Sequence, residues 1–299
     1  MPSSYLAIVW LFTYSDMKTI LFPQSIFGVT TAYTACLMKQ SPSFTRGIPV
    51  FFLARFPLSL LWTWSNLLPF NICNQLGFQA IEEDRINKPW RPLASRRIST
   101  SNAKFMMCSH YVLAIVISSW IGGLRQSLIL LILGTWYNAF GGADKSFLVR
   151  NIINASGYIS FMSGAMEVAM RARLMATRSL VQWFGILGLV IFLTVQIQDI
   201  CDTEGDRKRG RVTMPLVFGH VFTRWSTATL IWTFSSLCPA YWSLAWQSFV
   251  APVGLGLLVA IRMLIYRSVE ADKRTFQIWN AWLVSIYVLP LIRFMVHGC

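Results

Sequence analysis

The sequence predicts an all-α, polytopic membrane protein, and both its composition and its recurring apolar segments support that prediction. Of its 299 residues, 55% are hydrophobic and 13% are charged, whereas an average soluble domain has about 25% charged residues. Too few charges are present to cover a globular surface, which excludes a free cytosolic enzyme. The many aromatic residues exclude a disordered chain. Apolar stretches of about 20 residues, the length that crosses a hydrocarbon core, recur along the sequence.

The apolar segments predict one short interfacial helix followed by nine transmembrane helices. Residues 5–14 are too few to cross a bilayer, so we expect residues 1–17 to form an interfacial N-terminal segment. No internal repeat and no Gly/Ser-rich or Pro-rich linker divides the rest, so residues 1–299 are predicted to form a single membrane domain. The nine predicted spans are 19–38, 48–72, 105–121, 124–141, 150–169, 180–199, 219–241, 247–265 and 277–296.

The positive charge indicates how the chain lies in the membrane. The formal net charge is +14, and most lysines and arginines fall in alternate loops, which by the positive-inside rule places the N-terminus in the cytosol. In a eukaryotic cell we expect the endoplasmic reticulum membrane, with the C-terminus in the lumen. The bilayer is therefore the expected partner of these basic loops, and nucleic acid is not. Nothing in the sequence indicates an obligatory protein partner.

Two polar segments, residues 74–104 and 199–218, stand apart as predicted cytosolic loops. In the second, Asp199, Asp202 and Asp206 share an arc about 60° wide on a helix. Crowded carboxylates favour a bound cation, and oxygen ligands without His or Cys favour Mg²⁺ or Mn²⁺. Basic residues follow directly, Lys208 among them. A metal-bridged diphosphate is the favoured interpretation, and a solvated helix end of alternating charge is the alternative.

The first polar segment carries a weaker signal of the same kind. Asn74 and Asp84 would lie about 80° apart on an ideal helix, so their convergence requires a bend or an unwound turn. Lys88 and Arg91 follow and can bind phosphate oxygens. The alternative is a basic juxtamembrane loop that contacts anionic lipid.

Together the two segments resemble the UbiA superfamily of intramembrane prenyltransferases. Tyr137 and Arg150 also resemble a helix-end tyrosine and a following basic residue of that family. The family's first motif, NDxxDxxxD, is incomplete here, because Phe78 stands where its middle aspartate falls. This form of the first motif resembles that of the fungal UbiA-type terpene cyclases more than that of quinone-pathway enzymes. The residues that carry the resemblance are Glu83, Asp84, Asn87, Lys88, Pro89, Arg91 and Pro92 in the first segment and Asp199, Asp202, Gly205, Asp206, Arg207, Gly210, Thr213 and Pro215 in the second.

The resemblance implies nine helices around a central cavity that the cytosolic loops cap, with Mg²⁺ as cofactor and a prenyl diphosphate as substrate. It implies that Asp199 and Asp202 are catalytic. The implied metal ligands are Asn74, Glu83, Asp84, Asp199, Asp202 and Asp206. The implied diphosphate-binding residues are Lys88, Arg91, Tyr137, Arg150 and Lys208.

Three functions stay open at this point. The first is a terpene cyclase of terpenoid secondary metabolism that ionises a C15 or C20 substrate, farnesyl or geranylgeranyl diphosphate, and cyclises the carbocation. The second is a prenyltransferase that attaches the prenyl chain to an aromatic acceptor, and the third is a non-catalytic membrane scaffold. A carbocation needs walls that do not react with it, and aromatic faces attract cations. The candidates for these walls are Trp62, Trp64, Phe70, Tyr137, Trp183 and Phe192, and for any one of them bundle packing or an interfacial belt is the more common role.

Overall fold

The protein is a helical bundle, as its sequence predicts. The computed structural model describes residues 4–38 and 48–297, and within them every regular element is a helix. Residues 1–3 of the predicted interfacial segment lie outside the described residues. The α-helices are α1 Tyr5–Thr13, α2 Phe22–Met38, α3 Ile48–Gln75, α4 Phe78–Asn87, α5 Thr100–Ile121, α6 Leu124–Ala139, α7 Phe147–Met170, α8 Arg178–Thr194, α9 Ile197–Arg209, α10 Met214–Tyr241, α11 Val250–Ile265, α12 Val269–Tyr287 and α13 Leu289–His297.

Every predicted span overlaps a helix, but nine spans are not confirmed. Three helical stretches of the described chain are both long and apolar enough to cross a membrane: Thr100–Ile121, Trp246–Ile265 and Val269–Val296. A fourth is obtained if α8 and α9, which are bent by 45° at their junction, count as one span. The helices at the centre of the bundle contain buried polar side chains, which lower their hydropathy. Examples from α2, α3 and α7 are Gln24, Asn66, Asn71 and Asn151.

The two segments predicted as loops are largely helical, which corrects the predicted boundaries. The first contains α4, which begins after an extended Gly77 and lies beyond the end of α3. The second contains α9, so the predicted span 180–199 ends early, at Thr194. Gly210 ends α9 in the left-handed conformation, with φ 78°, as glycine commonly does after a helix. A bend of 45° separates α9 from α8, a break at residues 76–77 separates α4 from α3, and the two short helices lie against each other.

A tryptophan and a glycine set the distance between α3 and α7. Trp62 is fully buried, and its indole nitrogen donates to the Ser118 hydroxyl at 3.0 Å. A Cβ atom added at Gly164 would overlap the Trp62 ring. Because this ring lies in the main hydrophobic core, it has little freedom to move away, and the close approach of the two helices requires glycine at position 164.

Replacing Gly164 with alanine is therefore expected to destabilise the bundle. Overpacking a filled core costs about 1–3 kcal/mol, so the Gly164→Ala protein should unfold several degrees below the wild type in a detergent thermal scan. Gly254→Ala is the matched control, since nothing lies within 4 Å of a Cβ atom there and alanine favours a helix. Equal unfolding midpoints for the two variants would contradict this account of the α3–α7 contact.

Candidate active site

A cavity of about 490 Å³ lies at the end of the bundle where α4 and α9 meet. We call it the polar cavity. Residues from the N-terminal turn, α3, α4, α6, α7, α9 and α12 surround it. The charged side chains that line it are Asp16, Lys18, Glu83, Lys88, Arg91, Arg150, Asp202, Arg211, Glu270 and Lys273.

The first and second polar segments are joined through Asp202. The Lys88 ammonium lies 2.8 Å from the Asp202 carboxylate, and the Asn87 amide donates to the Asp202 carbonyl oxygen at 3.1 Å. A Cβ atom at Gly205 would overlap the Asn87 amide. The structure thus brings together the two segments that the sequence expects to act together, and the absence of a side chain at position 205 allows α4 to approach α9.

Three arginines that line the polar cavity are each bound to a carboxylate that does not line it. Arg91 contacts Asp84 at 2.8 Å, Arg150 contacts Asp199 at 2.8 Å, and Arg211 contacts Asp206 at 3.0 Å. All three carboxylates are buried. The acidic residues therefore lie behind the arginines, which face the cavity.

Two of these arginines have further partners. The Arg150 guanidinium donates to the Tyr137 hydroxyl oxygen, so Tyr137 keeps its own proton for another acceptor. Arg211 contacts Glu83 at 2.7 Å, and Arg209 contacts the second Glu83 oxygen at 3.0 Å. Both oxygens of Glu83 are thereby occupied by arginines.

Burial and neighbouring charge move the pKa values of the acidic side chains in opposite directions. Burial raises the pKa of the Asp206 carboxyl to about 6, against the nearby Arg150 guanidinium. Burial also raises the pKa of Asp84 despite the Arg91 charge. Burial opposes the ionisation of Asp202 too, but the Lys88 ammonium outweighs it and lowers the pKa of Asp202. Asp202 is thus held as a carboxylate at neutral pH.

The oxygen atoms of the site fit Mg²⁺ in chemical type. The buried oxygens of the two polar segments that lack a hydrogen-bond partner include Oδ1 of Asn74 and the Oδ2 atoms of Asp199 and Asp206. Across the described ranges 4–38 and 48–297, no three His, Cys, Asp or Glu side chains are close enough to hold a metal by themselves. Mg²⁺ usually takes only one or two carboxylates and fills its other positions with water and substrate phosphate, so the available oxygens suit it.

The structure places four of the five predicted diphosphate-binding residues in the polar cavity and leaves one outside. Lys88, Arg91, Tyr137 and Arg150 line it. Lys208 is 53% exposed, lies outside the lining and approaches Glu82 at 3.8 Å. The left-handed turn at Gly210 reverses the chain after α9, and this brings Arg211 into the cavity in place of Lys208.

A smaller apolar pocket of about 70 Å³ continues the polar cavity into the bundle. We call it the apolar pouch. Residues common to both linings are Asp16, Ile20, Phe70, Asn71, Tyr137, Asn154 and Tyr158. Residues that line the apolar pouch alone are Leu67, Leu130, Leu133, Gly134, Ile153, Gly157 and Phe161.

Of the predicted aromatic wall candidates, Phe70 and Tyr137 line the pouch and the others do not. Trp62 and Trp183 belong to the packed core. Sequence reasoning missed Tyr158 and Phe161. A helical wheel could have found Phe161, since it follows Arg150 by eleven residues and lies within about 20° of it around α7.

Comparisons with a family model and with similar sequences point to one protein family, and each covers most of the chain. The family model described as the UbiA prenyltransferase family matches residues 29–283. The chain is 29% identical over 284 residues to the somaliensene A/B synthase of Streptomyces somaliensis, covering 92% of this chain and 89% of that one. It is 27% identical to the fumagillin beta-trans-bergamotene synthase of Aspergillus fumigatus, covering 97% and 94%.

A solved structure also shares the fold. It is a UbiA homolog from Archaeoglobus fulgidus bound to GPP and Mg²⁺, superposing with a TM-score of 0.58 at 14% identity over 91% of this chain and 98% of that one. The resemblance seen in the sequence motifs is therefore confirmed.

Replacing Gly205 with alanine is expected to loosen the contact between α4 and α9. The Asn87 amide must move and give up its bond to Asp202, at a cost of about 1–2 kcal/mol. Hydrogen–deuterium exchange should show α4 and α9 amides exchanging about 5–30-fold faster. Glu204→Ala is the control, because Glu204 is exposed on the same helix. Unchanged exchange in Gly205→Ala would show that the glycine is not needed for the contact.

Proposed function

Because the chain belongs to the UbiA prenyltransferase family, we propose that it is a membrane-embedded terpene cyclase, which ionises a C15 or C20 prenyl diphosphate and cyclises the carbocation. The observation that carries the proposal is the continuity of a cationic cavity with an apolar pouch. A prenyl diphosphate has the matching division into an anionic head and an apolar tail. Two similar proteins of nearly the same length are synthases, which favours terpenoid secondary metabolism.

The proposed position of the diphosphate is the polar cavity, against Lys88, Arg91, Arg150 and Arg211. When carbon loses diphosphate, negative charge develops on the departing oxygens, and fixed cationic donors stabilise that charge without reorganising. The buried carboxylates hold the guanidinium groups in place before the substrate arrives. Tyr137 can donate its proton to a further diphosphate oxygen, because Arg150 already donates to its hydroxyl oxygen.

We propose Mg²⁺ as cofactor, held by the Asp202 carboxylate and the unpartnered oxygen of Asn74, both of which line the polar cavity, with water and substrate phosphate in its other positions. When bound, the ion supplies further neutralisation of the leaving diphosphate. Support comes from the solved UbiA homolog, which is bound to GPP and Mg²⁺. The other expected ligands already bind arginines, and we assign them the role of holding those arginines in place: Glu83, Asp84, Asp199 and Asp206.

The carbocation would form at the junction of the two compartments. Phe70, Tyr137, Tyr158 and Phe161 provide aromatic side chains there and in the apolar pouch. Their faces attract a cation by about 0.5–2 kcal/mol each. The apolar walls exclude water, so the substrate's own double bonds can trap the cation.

Transfer of the prenyl chain to an aromatic acceptor is the second candidate function. The feature that favours it is additional positive charge in the lining of the polar cavity, where Lys18 and Lys273 could bind an acidic acceptor. The family itself is named for prenyl transfer.

We also propose the membrane arrangement expected from the sequence. Nine spans would place the N-terminus, α4 and α9 in the cytosol, where soluble prenyl diphosphates are available, with the endoplasmic reticulum as the location in a eukaryotic cell. The buried polar residues of α2, α3 and α7 are compatible with this, since they face the bundle interior and not lipid.

The cyclase activity is tested with membranes containing the protein, Mg²⁺ and either farnesyl or geranylgeranyl diphosphate, without any acceptor. We expect a cyclic hydrocarbon or alcohol. Asp202→Asn should lower turnover at least about 100-fold, because Lys88 loses the carboxylate that holds it in place and the proposed metal site loses its charged ligand. Glu204→Gln, an exposed change on the same helix, should stay close to wild type. Strict dependence on an acceptor would favour the transferase. If no prenyl diphosphate is consumed with or without an acceptor, both enzymatic functions fail and the non-catalytic scaffold is the function that stays open.

Chain-length selection is tested at Gly157, which lines the apolar pouch. Nothing lies within 4 Å of a Cβ atom added there, so a leucine can enter the pouch without disturbing the fold. We expect Gly157→Leu to lower kcat/KM for the C20 substrate relative to the C15 substrate by about 10-fold or more. Gly185→Leu is the control, since position 185 is equally open but lies on a different groove. An unchanged ratio in Gly157→Leu would show that the tail does not reach the pouch.

A further inference from the structure

An irregular turn after α1 places charged residues in the active-site cavity. A 3₁₀ turn, Tyr14–Asp16, is followed by a π-helix, Met17–Leu21. Asp16 and Lys18 from this turn line the polar cavity. Short π-helices are rare and are found frequently at functional sites. The segment expected only to lie at the membrane interface therefore contributes to the site.

Asp16 lies at the junction of the polar cavity and the apolar pouch, since it lines both. Among the described residues that line the apolar pouch, it is the one with a charged side chain. Tyr158, another residue of this junction, lies within electrostatic range of Asp16. The proposed substrate position puts the carbon that loses diphosphate at the same junction.

Asp16 differs from the other acidic residues of the site in having no cationic contact. Asp84, Asp199, Asp202 and Asp206 each lie in an ion pair with an arginine or lysine. In the described parts of the chain no lysine or arginine pairs with Asp16, and Lys18 is only within electrostatic range.

The Asp16 carboxylate does not stabilise the local backbone either. Its carboxylate accepts one hydrogen bond, from the Thr19 hydroxyl to Oδ1 at 3.0 Å, and it caps no backbone N–H of the π-helix. The other carboxylate oxygen is therefore available to a ligand in the cavity.

We propose that Asp16 accepts the proton that the carbocation loses at the end of the reaction. This inference rests on the proposed function. A C–H bond next to the cationic carbon breaks, its electron pair forms a carbon–carbon double bond, and the proton joins the Asp16 carboxylate. The neutral carboxyl group then releases the proton to water at the mouth of the cavity. The same step would complete aromatic prenyl transfer, with the proton leaving a ring carbon of the acceptor.

The test separates ionisation from proton loss by measuring diphosphate release and organic products in the same reaction. Asp16→Asn preserves shape and the acceptor for Thr19. We expect diphosphate release to stay within about 3-fold of wild type. Products formed by proton loss should fall about 10-fold or more relative to alcohols formed by water capture.

Two further variants keep the test decisive. Thr19→Val removes the hydrogen bond but keeps the carboxylate, and it should give the wild-type product distribution. Asp16→Glu moves the carboxylate by one methylene, and it should restore proton loss while changing the ratio of alkene isomers. The proposal is overturned if Asp16→Asn gives wild-type products, if it stops diphosphate release while eluting as folded protein, or if Asp16→Glu leaves the isomer ratio unchanged. If wild-type protein itself releases no diphosphate, the proposed function fails instead.

Discussion

The site depends on three buried ion pairs in which a carboxylate holds an arginine from behind. Asp84, Asp199 and Asp206 hold Arg91, Arg150 and Arg211, respectively, at 2.8–3.0 Å. A buried charge without a partner costs several kcal/mol, so each guanidinium is fixed where its carboxylate lies. The acidic motifs, which in the sequence suggest a surface of negative charge, thus produce a cavity in which positive charge faces the ligand.

This arrangement needs α4 and α9 to leave the long helices that precede them. Gly77 begins α4 in an extended conformation, and Gly210 ends α9 in the left-handed one. The contact between Asn87 and Gly205 then brings the two short helices together. The rest of the bundle supplies the apolar pouch, so the boundary between charged and apolar surfaces coincides with the boundary between the short helices and the long ones.

The sequence predicted which segments meet, but not which side chains face the ligand. Helical periodicity placed Asp199, Asp202 and Asp206 on one arc, and all three do belong to one helix. Periodicity says nothing about which partner covers each side chain, so it did not predict that two pair with arginines behind the cavity while Asp202 pairs with Lys88. The resemblance implied Lys208 as a diphosphate-binding residue, but Arg211 lines the cavity instead, because a left-handed glycine reverses the chain between them. The π-helix after Asp16 changes the helical phase over a single turn, which no apolar pattern records. The apolar stretches predicted nine spans, but only three helices of the described chain, or four with the bent pair, are long and apolar enough to cross a membrane. The interior helices fall below that hydropathy because they contain buried polar residues.

The most direct measurement is an experimental structure with an unreactive farnesyl thiolodiphosphate and Mg²⁺. The account predicts that the diphosphate contacts Arg150 and Arg211, and that the tail runs past Phe70 into the apolar pouch. A ligand bound with its diphosphate away from these arginines, or with its tail in the outer groove beside Gly185, would contradict it.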